Sequence, residues 1–220
     1  MLLAGCAKAG AAGAKQPGEG SGGEGEEEIS PPEDLMREHG VLKRVMLAYD
    51  EIARRIEGRH DFPPEALADA AHIIRSFVED YHEKLEEDYL FPRFEKASKL
   101  VELVAVLRTQ HEAGRRVTDV ILQRANAGAL RDADNRTAVT NAIRQFNRMY
   151  APHEAREDTV LFPALRSIVS GHEFDSLGEE FEKKEEQLFG EDGFGKMVDR
   201  VAGIERRLGI YDLSQFTPRV

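Results

Sequence analysis

The chain has 220 residues, 41% of them hydrophobic, and a formal net charge of -11. That length suits one domain with appendages and a sizeable core. The acidic balance excludes nucleic acid as the main partner, because phosphate binding needs a basic face and the lysines and arginines here are scattered. No apolar run reaches the roughly 18 to 20 residues that a bilayer span requires.

Residues 1–29 open with Leu3-Ala4-Gly5-Cys6, which resembles the lipobox of bacterial lipoproteins, where the cysteine becomes the lipidated first residue. A working export signal needs a basic segment and about 7 to 15 apolar residues. The true start is therefore expected upstream of Met1, and the protein in the bacterial cell envelope, meeting the membrane only through a lipid on Cys6. The alternative is an incidental cysteine in the leader of a cytoplasmic protein. Cys6 is the only cysteine, which leaves no intramolecular disulfide and no thiolate metal site. Residues 7–29 are too rich in Gly, Ala and Glu to bury a core and read as a tether.

Ser30-Pro31-Pro32-Glu33-Asp34 predicts a helix start, with a serine cap, proline in the first turn and acids at the positive end of the helix dipole. This helix is expected to run to about Glu57 and stop at Gly58. Leu35, His39, Leu42, Met46, Tyr49, Ala53 and Ile56 follow one another at alternating steps of 4 and 3, the seam of a helical bundle. A second helix follows the turn at 60–64 and extends past Phe94, facing inward through Leu67, Ala71, Ile74, Val78, His82, Leu85 and Glu86. A third covers about Lys99 to Ala127 and ends at Gly128, with Leu100, Val104, Leu107, His111, Gly114 and Ile121 inside. A fourth, from about Asp134 to Val169, aligns Val139, Ile143, Phe146, Tyr150, His153 and Glu157.

Four long helices with short loops predict an all-α, up-down-up-down four-helix bundle over residues 30–169. Residues 170–220 predict a C-terminal helical extension of two amphipathic helices broken at Gly190 to Gly195. Phe181, Leu188 and Phe189 would pack from the first, and Phe194, Met197, Val201, Ile204 and Leu208 from the second. The extension carries no ligand pattern and reads as packing over the bundle or as a dimerisation element.

One motif occurs twice: HEKLEEDYLFPRF at His82 and HEAREDTVLFPAL at His153, 71 residues apart. Each copy places a glutamate four residues after the histidine, Glu86 and Glu157, which puts both side chains on one helix face. His39 and His111, 72 residues apart, repeat the pattern upstream. All four predicted helices thus insert a histidine into an apolar stripe. Burying a lone carboxylate costs several kcal/mol even after relaxation, and the stripes hold no cation to match Glu86 and Glu157. Two divalent ions sharing the four imidazoles and both carboxylates resolve the conflict, and bundle cores are a recurrent setting for such sites. Histidine and carboxylate without thiolate suits iron, then manganese or zinc.

Glu83 and Glu154 directly follow their histidines, a step of about 100° round the helix. They are expected on the surface, with Glu83 as an extra terminal ligand the lesser alternative. His60, His72 and His172 fall outside the pattern.

At these residues the chain resembles the hemerythrin-like, or HHE cation-binding, family. The resemblance rests on His39, His82 with Glu86, His111, and His153 with Glu157, together with the repeated Leu-Phe-Pro, over about residues 32–169. It implies a four-helix bundle around a non-haem di-iron centre bridged by oxygen, which binds dioxygen or reacts with peroxide or nitric oxide. The oxygen carriers of the family have a further histidine where this chain has Arg115, a position that the repeat matches with Lys43. They also close with a carboxylate five residues after the last histidine, here Asp158, whereas repeat symmetry favours Glu157. One imidazole fewer leaves an open coordination position, which favours chemistry over reversible storage.

Arg115 is expected to pair with nearby surface acids, or else to attract an anionic peroxide or superoxide. Tyr150, one turn before His153, is the tyrosine expected to line the pocket, while Tyr81 and Tyr89 read as packing. The functional expectation is a di-iron protein that binds dioxygen or a related small ligand. A di-iron oxidoreductase acting on peroxide or nitric oxide, or an iron-storage protein, are the alternatives.

Overall fold

The computed structural model describes residues 29–218. The leader, with Cys6 and its expected lipidation, lies outside the described residues. Within them the chain is helical and contains no strand. Helix α1 spans Pro31–Gly58. Its start depends on Pro31 and the acidic first turn of Glu33 and Asp34, because the Ser30 side chain makes no capping bond. Its stop is at Arg59 rather than at a glycine: Arg59 adopts φ 54°, and its N–H returns to the Ile56 carbonyl.

Helix α2, residues 64–96, opens twice into π-helical winding, with the α-helical Glu83–Leu85 between. It is α-helical over Pro64–Ile73, π-helical over Ile74–His82, and π-helical again over Glu86–Leu90 before Phe91–Lys96. Helix α4, residues 133–165, repeats the second change: Ala133–Arg156 is α-helical, Glu157–Leu161 is π-helical and Phe162–Leu165 closes it. Both wide turns begin at the glutamate of the repeated motif and end just before Phe-Pro. Proline has no N–H to return to the carbonyl four residues back, so Pro92 and Pro163 deprive Asp88 and Thr159 of their usual donors, and the i→i+5 pattern takes over.

Helix α3, Val101–Leu122, is shorter than its sequence predicts. It starts after Leu100, which is held at φ 53°, and it stops well before Gly128. There Asn126 turns the chain by accepting the Ala129 N–H on its side chain at 2.8 Å, a local bond that competes with helix continuation. Helix α4 begins one residue earlier than predicted, because Asp132 caps it by accepting from the Asn135 N–H. It ends at Leu165 rather than Val169. Helices α5, Gly171–Phe189, and α6, Gly193–Leu208, form the extension.

Helices α1 and α3 each pack against both α2 and α4, closing a four-helix ring, while α5 and α6 lie against α1 and α2. That cover explains a wider buried face than one seam requires. Val41, Val45, Ala48 and Ile52 of α1, and Ala66, Ala70 and Ile73 of α2, are buried beside the inward lines. Met197, Val201, Ile204 and Leu208 of α6 are buried, and Arg44 fixes the contact with two bonds to Glu205 at 2.9 and 2.6 Å. Phe181 is fully buried and Phe189 meets the rings of Phe77 and Tyr81. Leu188, expected to pack, is instead exposed, because it lies on the outward side of α5. No helix among the described residues is long and apolar enough to cross a membrane.

If α6 belongs to the same cooperative unit as the bundle, Ile204→Ala should cost about 2–5 kcal/mol of global stability. Urea unfolding followed by circular dichroism measures this. A loss under about 0.5 kcal/mol, the scale of an ordinary surface substitution, would show that α6 is not part of that unit.

Candidate metal centre

The four bundle histidines and the two motif glutamates meet at one place, and each is at most 4% exposed. The imidazoles form two pairs, His39 with His82 at 4.7 Å between ring centroids and His111 with His153 at 5.1 Å. The glutamates lie between the pairs. Glu86 Oε2 is 3.9 Å from His82 Nε2 and 3.3 Å from His111 Nε2; Glu157 Oε2 is 3.4 Å from His39 Nε2 and 3.1 Å from His153 Nε2. Each carboxylate therefore touches one imidazole of each pair. Two groups of donors have the spacing of a metal site, His39, His82 and Glu86 on one side, and Glu86, His111, His153 and Glu157 on the other.

Every Nε2 points inward because every Nδ1 is held from behind. Asp158 holds His39 at 2.7 Å, Glu38 holds His82 at 2.6 Å, Glu87 holds His111 at 3.0 Å and Gln110 holds His153 at 2.8 Å. A metal-binding imidazole is characteristically oriented in this way, with its second nitrogen donating to a carboxylate or amide. The supports obey the same duplication as the ligand candidates. Glu38 and Gln110 immediately precede His39 and His111, while Glu87 and Asp158 immediately follow Glu86 and Glu157.

The repeated Leu-Phe-Pro acquires a role here. Phe91 stacks on His111 and Phe162 on His39, both at 5.5 Å, so each motif supplies a wall for an imidazole from a different helix. A third layer lies behind the carboxylates. Arg115 reaches Glu83 and Glu87, both at 2.8 Å, and Lys43 reaches Asp158 at 3.4 Å and Glu154 at 3.8 Å. The two residues at the position of the oxygen carriers' extra histidine thus act on the histidines' own supports. Arg115 pairs with acids as expected, but they are acids of the site.

Glu83 and Glu154 are not surface charges: they are 1% and 2% exposed. A helix enclosed by neighbours on several sides buries more than a single stripe. Glu83 faces α3 and α4, where the Tyr150 hydroxyl donates to it at 2.5 Å, and Glu154 faces Lys43 of α1. The Tyr150 ring lies 5.3 Å from His153. Gly114 is required beside it, since a Cβ there would collide with the Tyr150 hydroxyl. Glu79, one turn before Glu83, is also buried, and it accepts from Thr118 at 2.5 Å and pairs with Arg75 at 3.1 Å. His60, His72 and His172 are exposed and away from this cluster.

The charges do not balance without a cation. Both oxygens of Glu86 and both of Glu157, as well as His111 Nε2, are buried without a hydrogen-bond partner. Burial raises the Glu86 carboxyl, and the neighbouring Glu157 charge raises it further. Burial opposes ionisation of Glu157 too, but His153 and His39 hold it well below the usual range. For His39 burial is outweighed by Asp158 and Glu157, and for His111 by Glu83, Glu86 and Glu87, so both rise to about 10. Burial lowers His82 to about 4. At neutral pH His39 and His111 thus bring imidazolium charge to the two glutamates. The donor set fits a metal ion: convergent nitrogens and oxygens, oriented from behind and unsatisfied in front.

Comparison with known proteins agrees with this geometry. Residues 30–165 match the hemerythrin HHE cation binding domain, and the chain belongs to that family. It is 53% identical over 190 residues to uncharacterized proteins of Mycobacterium bovis and Mycobacterium tuberculosis, covering 86% of this chain and 74% of each of theirs. No solved structure matches it. Helices α5 and α6 lie beyond the matched domain.

The sequence leaves open whether Glu157 or Asp158 faces the metal, and here Glu157 lies between His39 and His153 while Asp158 stands behind His39. Asp158→Ala should weaken metal binding about 10–100-fold, the usual cost of an outer support, and Glu157→Ala should weaken it more, as read by competition with a chelator. The reverse order would make Asp158 the inner donor.

Metal binding displaces the Nε2 protons of His39 and His111, so affinity should rise with pH towards about 10. Calorimetry in buffers of different ionisation enthalpy should detect proton release at neutral pH. Binding without proton release would contradict the imidazolium assignment.

Proposed function

We propose that the protein holds two iron ions between its histidine pairs, with His39, His82, His111 and His153 as terminal donors and Glu86 and Glu157 as bridges, and that it binds dioxygen or a related small ligand there. The observation that carries this reading is the placement of each glutamate between imidazoles of both pairs. Imidazole and carboxylate donors without thiolate suit iron ahead of manganese or zinc.

When bound, such a metal pair would supply redox chemistry and open positions for a small ligand. The protein's own residues have separate tasks. Phe91 and Phe162 wall the site and limit water, Asp158, Glu38, Glu87 and Gln110 hold the imidazole rings, and Tyr150 keeps a proton on its hydroxyl oriented toward Glu83. Burial raises both the Tyr150 hydroxyl and the Glu83 carboxyl above their usual values.

A second reading, an oxidoreductase acting on peroxide or nitric oxide, is favoured by one observation. Arg115, where oxygen carriers have a further imidazole, is engaged with Glu83 and Glu87, which leaves fewer protein donors for the metal and more positions for exogenous ligands.

Anaerobically purified protein should contain about two irons per chain, as expected for a dinuclear bundle site, and its optical spectrum should change on exposure to air. Reversal of that change under vacuum supports ligand binding; consumption of peroxide or nitric oxide with turnover supports the second reading. Iron content unchanged in His82→Ala would refute the site.

A further inference from the structure

The duplication fails on one side of the bundle. Asp34 and Glu38 stand one turn apart on α1, and Glu185 of α5 closes on them, so that one oxygen from each lies within 4.8 Å of the other two. The repeat places Val106 and Gln110 at the equivalent positions of α3. The cluster therefore belongs to the α1 side alone, and its third member comes from the extension beyond the family domain.

Acidic residues gather on many protein surfaces without binding anything, but this group has a buried end. Glu38 is 2% exposed; its Oε2 holds His82 Nδ1, while its Oε1 is buried without a hydrogen-bond partner. Tyr81, 1% exposed, has a buried hydroxyl next to Glu38. Glu185 is held in position, since its Oε1 accepts the Phe194 N–H at 2.7 Å and Gly193 leaves room for its chain, where a Cβ would come within 2.8 Å of its Cγ. Among the described residues Arg37 offers a countercharge, 3.8 Å from Asp34 and stacked over Phe194. A cavity of about 180 Å³ lies beside Asp34 and Glu185, with Glu182, Asp192 and Arg37 also in its wall.

We propose that Asp34, Glu38 and Glu185 form a mononuclear site for a hard divalent cation, distinct from the histidine-lined centre. An all-oxygen donor set of carboxylates suits manganese, magnesium or calcium, and lacks the imidazoles that would favour zinc or copper. Glu38 is shared: one oxygen faces this cation and the other orients His82. Occupancy is therefore felt at the histidine centre through one carboxylate, and only this coupling rests on the reading of that centre given above.

The test is a titration of the iron-loaded full chain with Mn²⁺, followed by electron paramagnetic resonance. About one Mn²⁺ per chain is expected beyond the iron, and Asp34→Asn and Glu185→Gln should each weaken it at least about tenfold by removing a charged donor, with iron content unchanged. Glu157→Ala should lose iron yet keep this Mn²⁺. Failure of that variant to lose iron would count against the histidine centre and not against this site. Absence of Mn²⁺ binding up to about 1 mM, the range of weak carboxylate sites, would overturn the proposal, as would equal affinity in the wild type and both variants.

Discussion

Two carboxylates buried in the middle of a helical bundle set the terms for the rest of this protein. Glu86 and Glu157 are fully enclosed, and the described residues bring only imidazoles to them. Removing such ions from water costs several kcal/mol apiece even after relaxation, and two like charges side by side repel. Nothing in the packing of leucines and phenylalanines around them offsets that cost. A bundle optimised for stability alone would place apolar side chains there. Positive charge resolves the conflict: His39 and His111 carry it as imidazoliums, and a cation held by the same donors would carry it in their place.

The surroundings of those carboxylates serve to keep the donors aimed. Each imidazole is fixed at its outer nitrogen, two are stacked against phenylalanines, and the carboxylates behind His39 and His111 are themselves held by Lys43 and Arg115. The arrangement occurs twice, related by the sequence repeat. A site supported in this way loses little conformational freedom when it binds a metal. The π-helical turns belong to the same device: they start at Glu86 and Glu157 and deliver Phe91 and Phe162 to rings on other helices.

The extension adds what the duplication lacks. Helices α5 and α6 cover α1 and α2, widening the buried faces of both, and leave the α3 side without a counterpart. Glu185 joins Asp34 and Glu38 on the covered side, close behind His82. One half of a nearly symmetric centre thereby acquires a different environment.

The duplicated spacing of His39, His82, His111 and His153, with Glu86 and Glu157 one turn after two of them, was legible in the sequence, because helical periodicity converts spacing directly into a shared face. So was the all-helical bundle, because apolar steps of 3 and 4 have few other uses. The ends of α3 and α4 were less legible, since Asn126 and Asp132 act through single local bonds that periodicity does not register. The supports Glu38, Gln110, Glu87 and Asp158 sit beside the obvious residues at repeated positions, yet a lone sequence neighbour of a ligand carries no signal of direction. Glu83 and Glu154 looked solvated for the same reason. Sequence by itself determined the helices and the residues that one helix face must bury. Only the tertiary structure decided which side chain stands behind which imidazole and what Arg115 touches. It also decided where the extension packs, because those contacts join residues far apart in the chain whose meeting depends on how whole helices pack.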